Sequence, residues 1–507
     1  MDTNAIVSVS IYAFAALTVL GGFLVGMRKR FWRALVYLGV VVAAALLAFG
    51  LTSDILVGLG KPTSLEEWQA AVMAEPRLAE YADALVELAD ALPGTLSLIM
   101  LIPFSLMGPL LFGLFFGVYR IVLGIAAGII CLILRFVFPK NDHPSKINRL
   151  SGGLLGAVRG VILTFVVLFP IIGYSAMVDD VLAVTDQAVS GENYQAVKQE
   201  VTVVTDEILL HPVSRAVFEM GGESAFTYLT NAYYTTTEGE TLSVDWNKEI
   251  KQYSNIILHA LPLKDVKLED FGEAQVNAIK NIAGDVGSSQ VLSHVIAEVL
   301  SAVCTKWDAG EPFLSIQKPT TEDENTAAIL ETAIDTFKNS TPATVAEDLM
   351  SVAELFSVMV KYDAFTSMSD PEQLMDLLNN NDFMADAIDV LKNNERLEGL
   401  LKETVKTGVK AALETAVDQD SFNQAIEAVN QAAADRLNAL SHLDAEEQKA
   451  AVADAITDAM ADHSIEGGSA VVDYVAELLV EEFSDKIADG SVSPDEIADY
   501  LGLYPKS

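Results

Sequence analysis

The sequence predicts an all-α membrane protein. A four-span helical transmembrane module leads into a large, mostly α-helical extracytoplasmic region with one candidate β-hairpin. Three observations predict this. Apolar residues make up 51% of the 507 and the mean hydropathy is +0.33, with the apolar residues gathered before residue 178. Charge divides at the same place: residues 1–178 hold 12 basic and 10 acidic side chains, whereas 179–507 hold 20 and 60. Glycines recur every fourth residue inside the apolar runs, as in RLSGGLLGAVRGVILTFVVLFP at 149–170.

The first span is read at 5–27, AIVSVSIYAFAALTVLGGFLVGM, which is uncharged and long enough to cross a hydrocarbon core of about 30 Å. A cleaved signal peptide needs a basic start, and this chain begins MDTN. The basic cluster Arg28, Lys29, Arg30 and Arg33 follows the apolar run instead. The positive-inside rule then sets the N-terminus outside and residues 28–33 in the cytoplasm, with 34–53 returning outward. An outer-side helix is expected at 64–91, where Ser64 and Glu67 match a capping box. The run 94–134 carries one charge, Arg120, and two early prolines, Pro103 and Pro109. It reads as a proline-broken piece at 95–108 followed by one crossing at 110–134. The loop RFVFPKNDHPSKINR is then cytoplasmic, and the run from 149 carries the chain out again.

Lipid is as apolar as leucine, so helices associate in a bilayer through close contact, which small residues permit. Gly152, Gly156 and Gly160 offer such a face; Gly113 with Gly117 and Gly124 with Gly128 offer two more, and Gly22 with Gly26 a weaker one. They predict packing of the spans, or a homo-oligomer through the same faces. Arg159 lies near the start of its span and reads as a headgroup anchor. Arg120 lies near mid-depth of the third span, where a cation costs about 3 kcal/mol or more. It reads either as an interfacial residue of a shifted span or as part of a polar pathway for an anion or lipid headgroup.

Two stretches carry a family resemblance. GMRKRFWRAL at 26–35 resembles the basic turn between spans one and two of the colicin V production protein (CvpA) family of bacterial inner-membrane proteins. Gly26, Arg28, Lys29 and Arg33 fit that turn, and Arg30 stands where a glycine is expected after the basic pair. NRLSGGLLGAVRGVIL at 148–163 is similar to the glycine-spaced start of the family's last span, through Gly152, Gly156, Arg159 and Gly160. The resemblance covers residues 1–178. It implies a four-span protein linked to bacteriocin or toxin production or export and to envelope homeostasis, with no catalytic residues.

Beyond residue 178 the pattern is helical. Leu397, Leu401, Val405, Val409 and Leu413 step by four, and Thr341-Pro342, Asp370-Pro371 and Ser493-Pro494 mark helix starts. Residues 225–246 read as a hairpin about Glu238-Gly239, and 315–326 as a linker. The expected domains are the module at 1–178 and two acidic, α-rich extracytoplasmic domains at 179–318 and 327–507. The acidic surplus argues against nucleic acid and suits envelope proteins or cationic peptides, the bilayer being the other partner. The six histidines are scattered, the two cysteines, Cys131 and Cys304, form no CxxC, and neither HExxH nor GxSxG occurs. No enzyme and no cofactor is expected. Asp485, Asp489, Ser493 and Glu496 can be laid on a calcium loop, but Ile487 occupies an oxygen-ligand position. A turn followed by a helix capped by Ser493 and Glu496 explains the same residues.

Overall fold

The computed structural model describes residues 3–59, 92–137, 146–188, 192–235, 241–264, 266–314, 316–321, 324–367, 377, 380–416, 419–440, 442–463 and 469–504. The helix expected at 64–91 and the start at Asp370-Pro371 lie outside the described residues. The chain divides into two compact units: residues 1–261 with 289–291, and residues 262–288 with 292–507.

The first unit is built on three long helices, α1 (Thr3–Leu59), α2 (Pro93–Val137) and α3 (Lys146–Ala188). Each contains a stretch long and apolar enough to cross a membrane: Asn4–Gly58, Ser105–Leu132 and Lys146–Ala183. In α1 the helix breaks at Arg30, whose φ of 68° and ψ of 170° are not helical. The two halves fold back on one another, so that Ser53 of the second half (Tyr228 hydroxyl at 3.0 Å) and Tyr12 of the first (His211 ring at 4.2 Å) reach the same end of the unit. α2 differs from the expected broken piece: Pro103 and Pro109 sit within one continuous helix. A proline inside a helix removes its own N–H donor and crowds the carbonyl four residues back, which bends more often than breaks a span whose freed groups find other partners; here the Tyr174 hydroxyl donates to the Leu106 carbonyl, next to the one that Pro109 frees.

An apolar core joins these helices. Val41, Ala44, Ala48, Phe112, Phe169 and Ile172 are buried in it, with Phe112 against Phe49 at 6.0 Å and Phe169 at 5.5 Å. Much of the remaining helix surface is apolar and exposed, including Leu110, Leu114, Ile121, Ile125 and Ile129 of α2. The end opposite Arg30 is covered by α4 (Glu192–Leu210), α5 (Pro212–Val217), a π turn at Phe218–Gly222 and α6 (Glu223–Thr230). Strands β1 (Ala232–Thr235) and β2 (Thr241–Val244) pair antiparallel, Ala232 opposite Val244, and α7 (Trp246–Ala260) follows. The hairpin is thus shorter than 225–246, because Phe226 and Leu229 use helical spacing to bury against the core. Glu249, 1% exposed, accepts from the Ser289 hydroxyl at 2.5 Å and the Gln290 amide at 2.7 Å, both of which belong to this same unit.

The second unit is helical. Its helices α8 (Glu273–Ser288) and α9 (Gln290–Asp308) are long and apolar enough to cross a membrane only if taken as one, and they meet at a bend of 91°. The helices α10 (Glu324–Phe337) and α11 (Pro342–Lys361) are followed by α12 (Ala364–Ser367) and α13 (Asn381–Lys392), and α10, α11 and α14 (Glu395–Ala416) meet at Arg396. That guanidinium reaches Asp348 at 2.8 Å, the Thr336 carbonyl at 2.8 Å and the Ser340 hydroxyl at 3.0 Å. Asn394 caps α14 while donating to Asp348 at 3.0 Å. Leu397, Leu401 and Val405 of α14 are buried, as their spacing predicts. The helices α15 (Gln419–Ala439), α16 (Ala445–Asp462) and α17 (Ser469–Glu482) form one core with the two short helices that follow, containing Ile426, Leu437, Val452, Leu479 and Ile497.

The φ of Arg30 lies in a region that is strained for any residue with a Cβ, at about 1–3 kcal/mol. Replacement by glycine removes that strain and restores some unfolded-state entropy. Arg30→Gly should therefore stabilise the full chain by about 1 kcal/mol in thermal unfolding in detergent.

Candidate functional site

The first half of α1 runs antiparallel to α3, and glycine permits the contact. A Cβ on Gly22 would overlap the carbonyl of Gly156, one on Gly26 that of Gly152, and one on Gly160 that of Thr18. Seen from α3, Gly152 and Gly156 meet the carbonyls of Gly26 and Gly22. Thr18 and Thr164 share a hydroxyl hydrogen bond of 2.6 Å at one end of this seam. At the other, the Phe31 amide donates to Asn148 at 2.9 Å.

The remaining glycine steps behave differently. A Cβ at Gly113, Gly117, Gly124 or Gly128 would meet no described atom within 4 Å. Two glycines outside any four-step series are instead tightly packed: Gly108 against the Leu229 carbonyl, and Gly173 against the Phe226 ring. Nothing local marks them, because their partners come from α6, far along the chain.

The seam leads to a group of cations. Lys29 Nζ stands 3.2 Å from the centroid of the Tyr37 ring, and Arg159 Cζ 5.8 Å from the same centroid. Arg159 is half-buried, and its Nε is buried without a hydrogen-bond partner. Arg120, exposed on α2, lies within Coulombic reach of Arg159, and Arg33 within that of Lys29. Among the described residues no carboxylate forms an ion pair with Lys29, Arg33, Arg120 or Arg159. The two arginines singled out in the sequence thus feel one another's charge, and Lys29 and Arg159 share the Tyr37 ring. Sequence reasoning missed Tyr37, whose position gives no signal until the turn at Arg30 sets it beside α3.

At the opposite end, His211 caps α5, its Nδ1 accepting from the Val213 amide at 3.2 Å. Burial lowers its pKa, outweighing Glu207 and the Ser8 backbone, which favour the cation.

In the second unit, Gly490 (φ 62°) ends α18 (Ser484–Asp489), and Ser493 caps α19 (Pro494–Leu501). Glu496 closes the capping box at 3.2 Å and pairs with Lys486. Asp485 lies in α18 and Asp489 closes it, so the four calcium-loop residues serve two helix ends. Among the described residues, no three His, Cys, Asp or Glu side chains are grouped to hold a metal. A cavity of about 490 Å³ is lined by Lys392, Lys449, Glu477, Asp473 and Tyr474 among others. Burial raises the Glu477 carboxyl, but the two ammonium groups outweigh it and leave it below the ordinary glutamate range.

No family model, curated protein or solved structure matches this chain.

Two outcomes test this geometry. Gly156→Ala places a methyl on a backbone carbonyl and should cost about 2 kcal/mol or more, while Gly124→Ala should leave thermal stability in detergent unchanged. His211 contributes fully as the neutral form above its unfolded pKa of about 6.5. Because its folded pKa is lowered, stability falls as pH drops below that value. Melting temperatures measured from pH 7.5 to 5.5 should decline in the wild type and flatten in His211→Asn, which keeps a capping acceptor without the titration.

Proposed function

We propose that this chain is a non-enzymatic multi-pass protein of the bacterial cytoplasmic membrane, like the colicin V production family in residues 1–178. Its role in this reading is to support bacteriocin or toxin production or export and envelope homeostasis. The module crosses four times, both termini are outside, and the acidic remainder contacts envelope proteins or cationic peptides.

One observation carries the reading: charge is segregated along the bundle. The Arg30 end gathers Arg28, Lys29, Arg30, Arg33, Lys146 and Arg149. The other end has Asp54, Asp179 and Asp180, with Lys251 bound to Asp180 at 3.2 Å. Such polarity is what the positive-inside rule asks of a cytoplasmic and an outer side. The break at Arg30 adds support. A straight helix of 57 residues would reach about 85 Å at 1.5 Å per residue, far beyond a bilayer core of about 30 Å. Two halves of about 40 Å each suit two crossings. For the acidic region, the support is its charge, 60 acidic against 20 basic residues in 179–507, which attracts cations.

The test is side-specific labelling. In a cysteine-free background, Ala328→Cys should react with an impermeant maleimide on intact cells. His143→Cys should react only after the inner membrane is opened. Labelling in the reverse order would overturn the topology, and recovery of the chain in the soluble fraction would overturn the membrane reading itself.

A further inference from the structure

The group around Tyr37 has more positive charge than its surroundings can satisfy. Two cations share one ring, at 3.2 Å for Lys29 Nζ and 5.8 Å for Arg159 Cζ. The ring's negative face attracts each of them, but it carries no net charge to cancel their mutual repulsion. Arg33 and Arg120 add to the same field. Among the described residues the buried Arg159 Nε is a donor with no acceptor, an arrangement that folded proteins rarely leave unfilled. No carboxylate among the described residues pairs with these groups. The missing component is therefore an anion with several acceptor oxygens, which a guanidinium and an ammonium hold well.

The neighbouring surface says what else that anion carries. Trp32 and Leu35 on α1, 71% and 37% exposed, and Leu154 and Val158 on α3, 58% and 48% exposed, are large apolar side chains open to the surroundings within a few residues of Lys29, Tyr37 or Arg159 in the chain. A soluble anion gains nothing from them, whereas acyl chains cover them. We propose that Lys29, Tyr37 and Arg159 form a seat for the phosphate of an anionic phospholipid at the Arg30 end of the bundle, with Arg33 and Arg120 at its rim. The inference rests on the bundle lying in a bilayer, not on the number of crossings or on the family resemblance. In the proposed topology the seat opens to the cytoplasmic leaflet, whose anionic lipids attract basic segments.

Native mass spectrometry of the full chain in detergent tests this, by titration with phosphatidylglycerol, with phosphatidylcholine of the same acyl chains, and with inorganic phosphate. The wild type should bind phosphatidylglycerol at least tenfold more tightly than phosphatidylcholine. Lys29→Gln with Arg159→Gln should abolish that preference, and Lys29→Gln alone, which leaves the Arg159 packing in place, should reduce it several-fold. Arg159→Lys should keep most of it. Lys146→Gln, at the same end but away from the ring, should leave it unchanged. Equal binding of the two lipids, or a preference that survives the double substitution, overturns the seat. Displacement of the lipid by millimolar phosphate, with phosphate bound in its place, overturns the lipid assignment in favour of a soluble anion. Equal lipid binding by a protein still extracted from membranes sinks this inference alone, whereas a protein found in the soluble fraction sinks the proposed function with it.

Discussion

Backbone meets backbone along the seam between α1 and α3, and the first unit depends on that contact. Gly22 and Gly26 lie directly on the carbonyls of Gly156 and Gly152, backbone against backbone at those positions. At such a distance each helix feels the other's dispersion field along its length, and one methyl would force them apart. The seam also sets what flanks it. It brings Phe31 to Asn148 at one end and Thr18 to Thr164 towards the other. Through Phe31 it fixes where the chain turns, and through that turn it sets Tyr37 beside Arg159.

The same contact explains the uneven use of glycine. Spacing by four tells that a helix can be approached closely; it does not say what approaches. Gly152, Gly156 and Gly160 find a partner within the chain, while Gly113, Gly117, Gly124 and Gly128, with the same spacing, meet none among the described residues. Periodicity is local and so was visible in the sequence. Partner choice depends on how distant segments fold back, and it was not. Gly108 and Gly173 show the converse: each is packed hard against α6, and neither belongs to a series.

Other features divide along this line. Helix caps at Thr341 and Ser493 and the buried stripe of Leu397, Leu401 and Val405 follow from neighbours within a few residues and were legible. Pro103 and Pro109 were read as breaks, yet α2 continues, because a helix with its other hydrogen bonds intact tolerates the loss of one donor. The hairpin was overextended because Phe226 and Leu229 are aromatic and aliphatic enough for a strand, while the core they fill selects a helix. The positive φ of Arg30 was not legible, because nothing in a run of basic residues marks which of them the chain turns on. The assembly of Lys29, Tyr37 and Arg159 joins three segments, so no motif announced it.

The antiparallel seam also has a consequence for biogenesis. The first half of α1 leaves the ribosome early, but its glycine groove closes only when α3 has been made, after the rest of α1 and all of α2. Until then the carbonyls of Gly22 and Gly26 stand open beside a completed turn. Contacts between residues so far apart in the chain form late and slowly. The first half of α1 must therefore wait with that groove unsealed until α3 arrives.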